Sequence, residues 1–330
     1  MPNPMLTVFT SPKPFRGRID TIQRNALSSW MHLGSDVEVL VIGDEEGARE
    51  AALAAGARHL PQVERNALGT PLSSSIFSLA AREARHSTLC YVNADIILLS
   101  EFLTAIRRVT ERFERFLIVG QRWDLEVNEG LEFDGDWEAE LRARVRRAGR
   151  LHPPAGSDYF VFPRGLFTEM PRFALGRAGW DNWMIYAGRA RRIPVVDVTS
   201  EVTVIHQNHD YGHLPGGQPH YRLPESQDNV ALAGGREVIF GLCDTDWRLE
   251  ATGLRRRRRR EVGLVRWLET SWTLRVGPGR KARVVRLLLH PADMLSYFIK
   301  RLRGKVPRGD DLALSRSQER PNGHGPERSA

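Results

Sequence analysis

The sequence predicts an α/β protein, a mostly parallel sheet flanked by helices. Three observations carry this. Short apolar runs alternate with helix-period patterns from Leu6 to Val92. The runs are apolar at consecutive positions, as strands covered on both faces are. Each run also stops at polar residues, Thr10-Ser11, Asp44 and Asn93-Ala94-Asp95. In a doubly wound sheet those strand ends are where a ligand binds.

Leu6–Thr10 reads as the first strand, closed by the turn-rich Thr10-Ser11-Pro12-Lys13-Pro14. In Ile19–Leu33, Ile22, Ala26, Leu27, Trp30 and Leu33 recur at helical spacing. Val37–Ile42 is the second strand. Ala48–Ala55 is an alanine-rich helix stopped by Gly56. A short strand at His59-Leu60, a helix over Ser73–Ala84 and a strand at Leu89–Val92 complete the first half. The second half is less regular. Strands are expected at Phe116–Gly120, Asp158–Phe162, Val195–Val198 and Val202–Ile205, and helices over Asp136–Arg150 and Ala178–Ala187.

Composition narrows the class. Two cysteines, Cys90 and Cys243, cannot build a disulfide scaffold. Met1–Phe15 has no long apolar core of a secretory signal, and no apolar window is long enough to span a bilayer. A cytoplasmic location is expected. The net charge of +8 is uneven. Residues 1–250 carry 28 Lys+Arg against 33 Asp+Glu, whereas residues 251–305 carry 16 against 3. An acidic core with a basic appendage argues against a nucleic-acid-binding core.

Three motifs carry chemistry. A carboxylate just past a buried strand, Asp95, can hold a divalent metal against a pyrophosphate; the competing reading is a strand-end Asp that caps the next turn. His206-Gln207-Asn208-His209-Asp210-Tyr211 follows a later strand, and a neutral imidazole there suits a Mn²⁺-like ion. The competing reading is a His satisfied by backbone. In Gly179-Trp180-Asp181-Asn182-Trp183, a Trp face can stack on a sugar and an Asp can take a proton from a hydroxyl. A helix N-cap with core tryptophans explains the same residues.

Together, Thr10-Ser11, Asp44, Val92-Asn93-Ala94-Asp95, Gly179-Trp180-Asp181 and the late His resemble a GT-A-fold glycosyltransferase, closest to bacterial family-2-like proteins, over about residues 5–225. The resemblance implies transfer of a sugar from a nucleotide-diphosphate donor, UDP-sugar favoured, to a hydroxyl of a glycan or lipid-linked acceptor in cell-envelope synthesis. It implies a Mn²⁺ or Mg²⁺ cofactor held by Asp95 with His206 or His209. Thr10 and Asp44 match base- and ribose-contacting positions, and Asp181 matches the catalytic base. Trp180 and Asp158 fall on the acceptor side. Asn93 replaces the first Asp of a DxD motif, which points it to the ribose or to outer-shell water. That replacement also keeps open a non-catalytic glycan- or partner-binding module of the same fold. A nucleotidyltransferase would want a Gly-rich basic loop after the first strand, and Thr10–Arg18 offers only Gly17.

The expected organisation is a transferase domain over 1–250, a basic amphipathic helical segment over 251–305 and a disordered tail over 306–330. Arg255–Arg260 followed by Leu264, Trp267, Leu268, Trp272 and Val284–Leu289 suits a helix on an anionic membrane surface. A helical subdomain with a solvated basic face is the competing reading. Peripheral attachment to the inner membrane face is the expectation, with no nucleic-acid partner.

Overall fold

The computed structural model describes residues 5–209 and 223–290. The first half follows the expected order: β1 (Leu6–Thr10), α1 (Gly17–Met31), β2 (Val37–Ile42), α2 (Ala48–Ala55), β3 (Arg58–Leu60), α3 (Ser73–Glu83) and β4 (Thr88–Val92). β5 (Ile96–Ile97), α4 (Glu101–Thr110), β6 (Leu117–Val119), β7 (Trp123–Leu125), α5 (Trp137–Ala148), β8 (Arg150–Leu151) and β9 (Tyr159–Pro163) come next. α6 (Trp180–Ala190), β10 (Val195–Asp197), β11 (Ile205–Gln207) and α7 (Pro224–Ala233) lead to the last section. That section holds β12 (Trp247–Glu250), β13 (Gly253–Arg256), α8 (Arg259–Val262), α9 (Leu264–Val276) and α10 (Arg280–Leu289).

The large sheet has nine strands in the order β13-β12-β10-β6-β9-β4-β1-β2-β3. β9 and β13 run against the rest. The consecutive apolar residues of each strand divide between two cores. Leu6, Val8, Val39 and Cys90 face α1, α2 and α4 on one side; Phe9, Leu40, Leu89 and Tyr91 face α3 and α6 on the other. This is the predicted class, a mostly parallel sheet between helical layers, and the strands lack alternation because both faces are covered.

β1 pairs with β2 on one side and β4 on the other, so the chain reverses its direction of travel at this point. A crevice therefore opens at the ends of β1 and β4. Thr10-Ser11 and Asn93-Ala94-Asp95 meet there.

A second sheet, β5-β11-β7-β8, builds the rest of the site. The strand expected at Val202–Ile205 instead starts at Ile205, because Ile205–Gln207 is the stretch that finds partners. It lies antiparallel to β5 and parallel to β7, with His206 opposite both Ile96 and Asp124. Trp30, fully buried on α1, donates its indole N–H to the Ile96 carbonyl at 2.9 Å and locks this corner to the main core.

Gly253–Arg256 of the basic segment is the edge strand of the large sheet, and the helical part begins at Arg259. The remainder of that segment from 291, the tail over 306–330, and Asp210 and Tyr211 lie outside the described residues.

Candidate active site

The register of β11 brings distant ligands to Asp95. Gln207, fully buried, donates from its backbone to the Asp95 carbonyl at 3.1 Å and from its side chain to the Ile22 carbonyl at 2.7 Å. With Gln207 pinned, its neighbours project onto the crevice. His209 Nε2 lies 3.1 Å from Asp95 Oδ2 and His206 Nε2 lies 3.9 Å from it. One ligand atom from each of Asp95, His206 and His209 lies within 4.8 Å of the others.

Asp95 is only 8% exposed. Burial alone would raise its pKa, but the Lys13 ammonium and the two imidazoles hold it well below the usual carboxylate range. Its other oxygen, Oδ1, is buried and has no hydrogen-bond partner among the described residues; the same holds for Thr10 Oγ1 and Ser11 Oγ at the end of β1. Buried polar atoms are nearly always paired, so an unpaired carboxylate oxygen beside two imidazoles is the feature here that a bound cation would explain. A carboxylate with two imidazoles is a donor set that can hold a divalent metal ion.

Further charged side chains pack around this corner. His206 Nδ1 faces Asp124 Oδ1 at 3.4 Å, and Asp124 Oδ2 takes a 2.8 Å contact from His152 Nδ1. Arg122 bridges the clusters, donating to Asp124 Oδ1 at 2.9 Å and to Asp158 Oδ2 at 2.5 Å. Burial tends to raise the Asp124 pKa, yet His152, His206 and Arg122 pull it far below the usual range.

Asn93 belongs to the second cluster. Its amide donates to Asp158 Oδ1 at 2.7 Å, and its Oδ1 accepts from the Tyr91 hydroxyl at 3.0 Å. Its backbone N–H donates to the Asp158 carbonyl at 2.9 Å. Asn93 thus ties β4 to Asp158 beside β9, and its half-buried amide keeps one N–H and one lone pair beyond these contacts.

Asp181 sits in the first turn of α6, after Gly179 at φ 102°. Burial, with Asp158 nearby, pushes its carboxyl up to about 6, although backbone N–H groups at the helix start favour the charged form. Its Oδ2 lies where a side chain at Gly156 would have to go, 2.1 Å from a Cβ built there. Only glycine at 156 lets this carboxylate stay in place. Asn182 ties the same turn to the Ala155 and Phe240 carbonyls at 2.7 and 2.8 Å. Asp95, Asp158 and Asp181 all act on the Tyr91 phenol, whose pKa burial and these charges raise.

Trp180 is corrected. It is 4% exposed and packs edge-on against Tyr91, 5.0 Å between centroids, with Phe77 and Phe160 around it. A ring in the core has no face for a sugar. Asp44, beyond β2, is exposed and paired with Arg65. A cleft of about 860 Å³ opens beside it, lined by Pro61, Gln62, Val63, Ser75 and Ser78.

No family model and no curated protein matches this chain. Among solved structures, the chain is similar to glucosyl-3-phosphoglycerate synthase from Mycobacterium tuberculosis. The complex with Mg²⁺ and uridine diphosphate is 17% identical, with 69% of this chain and 78% of that one covered at a TM-score of 0.43. The complex with Mn²⁺, UDP-glucose and phosphoglyceric acid is 17% identical, with 70% and 80% covered at a TM-score of 0.43. A further structure of the same enzyme is 17% identical, with 72% and 78% covered at 0.41. The likeness is partial, and the side chains described above carry the functional reading of this chain.

Lys13, Gln23, Arg122, Asp124 and His152 have no role in the motifs read from sequence. The one available signal was position: Lys13 follows β1 and Arg122 to Asp124 follows β6, both after strand ends.

Proposed function

We propose that the protein transfers a sugar from a nucleotide-diphosphate sugar to a hydroxyl acceptor in the crevice between β1 and β4. One observation supports this most: Asp95, His206 and His209 converge at a sheet's switch point while Asp95 Oδ1 remains buried and unpaired. Asp95, His206 and His209 would hold a divalent cation, Mn²⁺ or Mg²⁺. The cation would supply positive charge to the leaving diphosphate. Thr10 Oγ1 and Ser11 Oγ offer hydrogen bonds to the donor, and the cleft beside Asp44 receives the base. Arg122 and Asn93 fix Asp158 next to Asp181. Asp181, with a pKa of about 6, is ionised at neutral pH and accepts the proton of the attacking hydroxyl.

The acceptor side is open to a glycan or a lipid-linked substrate of envelope synthesis, and a surface for an anionic membrane supports the second. Leu264, Leu268 and Trp272 form an exposed stripe along α9, and Val284 and Leu288 continue it on α10. The exposed Arg256, Arg258, Arg259 and Arg260 lie at its start. No helix of the described residues is long and apolar enough to cross a membrane; the stripe suits an interfacial contact instead.

Incubation with a panel of nucleotide sugars, UDP-sugars first, with Mn²⁺ and mass-spectrometric detection of donor hydrolysis and transfer tests the reaction. Binding of UDP without turnover of any donor would leave a non-catalytic glycan- or partner-binding module.

A further inference from the structure

Lys13 has a place in the site that its sequence context does not announce. Its ammonium lies 3.4 Å from Asp95 Oδ2 and 3.1 Å from His209 Nε2. Those are two of the atoms that the cation would need. The position is built rather than incidental. Lys13 stands between Pro12 and Pro14, which fix the backbone angles of the loop. Gln23 of α1, 1% exposed, clamps the Lys13 main chain at both ends. Its Oε1 accepts from the Lys13 N–H at 2.7 Å, and its Nε2 donates to the Lys13 carbonyl at 2.9 Å. An amide buried on a helix is thus spent on aiming one loop lysine. The side chain keeps a third of its surface exposed, so it has room to leave.

We propose that Lys13 is a stand-in cation. It competes with the divalent metal for Asp95 and His209, and it moves to the donor diphosphate when metal and nucleotide bind together. This rests on the metal centre proposed above. The physics is a balance of charge. The buried Asp95 carboxylate needs a positive neighbour. Two cations at one carboxylate oxygen repel, so a metal entering alone must displace the ammonium into solvent. A diphosphate gives the displaced ammonium a new anionic partner within the same crevice. Metal and nucleotide then assist each other, and by linkage each raises the other's affinity by the same factor. Lys13 would thereby keep the site from holding metal tightly until a donor arrives, and Gln23 would be the positioning residue for this exchange.

The test is Mn²⁺ binding by calorimetry and by electron paramagnetic resonance, with and without UDP, on the full chain. Lys13→Met keeps an unbranched side chain one atom shorter and removes the charge; Lys13→Gln serves as a second variant. Without UDP, the variants should bind Mn²⁺ about tenfold more tightly, since a like charge within hydrogen-bond distance has gone. With saturating Mn²⁺, they should bind UDP about tenfold more weakly, since a charge-assisted partner of the diphosphate has gone. Unchanged or weaker Mn²⁺ binding without UDP overturns the stand-in role. Unchanged UDP binding overturns the transfer to the diphosphate. If neither the natural protein nor the variants bind Mn²⁺ with or without UDP, the metal centre itself fails and the exchange with it.

Discussion

The Asp95 corner and the run Arg255–Arg260 place charge in opposite ways. At the corner a single buried carboxylate gathers Lys13 from the loop after β1 and His206 and His209 from a segment more than a hundred residues further along the chain. In the run six identical cations are adjacent in sequence and are scattered by structure. Strand periodicity does the sorting. Arg255 pairs with Glu250 and Glu261. Arg257 reaches Asp197 at 2.8 Å in a pair where both side chains are under a tenth exposed. Arg256 points the other way and rests over Trp247, and Arg259 rests over Trp267 at 4.3 Å. A cluster assembled by tertiary contacts acts as one unit, whereas a cluster written consecutively in sequence does not.

The largest effect is expected at Asp181. Asp181→Asn should keep UDP binding and lose transfer by about 10²–10⁴-fold, the usual cost of losing a general base. Steady-state kinetics beside calorimetry measures both. In the unsubstituted protein, the proposed transfer should rise with pH through about 6 as Asp181 ionises. Its contribution to folding runs the other way. A carboxyl raised in the fold favours folding below the ordinary carboxylate pKa of about 4, and that contribution is lost as pH rises through about 6. Denaturant midpoints should show this fall between the two values, and Asp181→Asn should remove it.

The arginine run offers the next test. Arg257→Ala should cost about 3 kcal/mol of stability, because it removes the close buried partner of Asp197 and leaves only Arg248, 3.9 Å away. Arg258→Ala, three bonds along the same run of guanidinium groups but exposed, should stay within about 0.5 kcal/mol. Chemical denaturation of both variants decides whether the run is one patch or two populations. A truncation at Glu250 would not answer this, since it removes β13 and the buried Arg257 along with the exposed charges.

Asp124→Asn sharpens the other side. It leaves every proposed ligand in place but loosens His206 and His152, and Mn²⁺ affinity should fall about 10–100-fold. An equal affinity would make Asp124 a bystander to the corner. The smallest effect belongs to the surface. Each exposed arginine near an anionic membrane contributes roughly 1 kcal/mol, so Arg258→Ala should weaken co-sedimentation with anionic vesicles modestly. Leu268→Glu, in the apolar stripe, should weaken it at high salt as well, because salt screens the arginines and not the apolar contact. No vesicle binding at low salt would leave α9 and α10 as a helical cover with a solvated face.

The layered α/β class, the strands from Leu6 to Val92 and the positions of Thr10, Asp44 and Asp95 at strand ends are legible in the order of apolar runs alone. Local rules suffice there: a parallel strand covered on both faces must be apolar throughout, and its polar end marks the crevice. The sequence also grouped His206 and His209 beside a late strand, although the strand itself runs through His206, and it did not say which carboxylate they meet. The tertiary structure decided that, through the register that sets His206 opposite Ile96 and Asp124. It also withdrew Trp180 into the core and gave Asn93 to Asp158. A motif fixes residue types and spacing, but burial depends on what packs above the helix, and Phe77, Tyr91 and Phe160 come from three other elements. Lys13 was hidden for the same reason. Nothing in Ser11-Pro12-Lys13-Pro14 specifies where the ammonium goes; the aim comes from Gln23, ten residues away on α1, and from a carboxylate 82 residues along the chain.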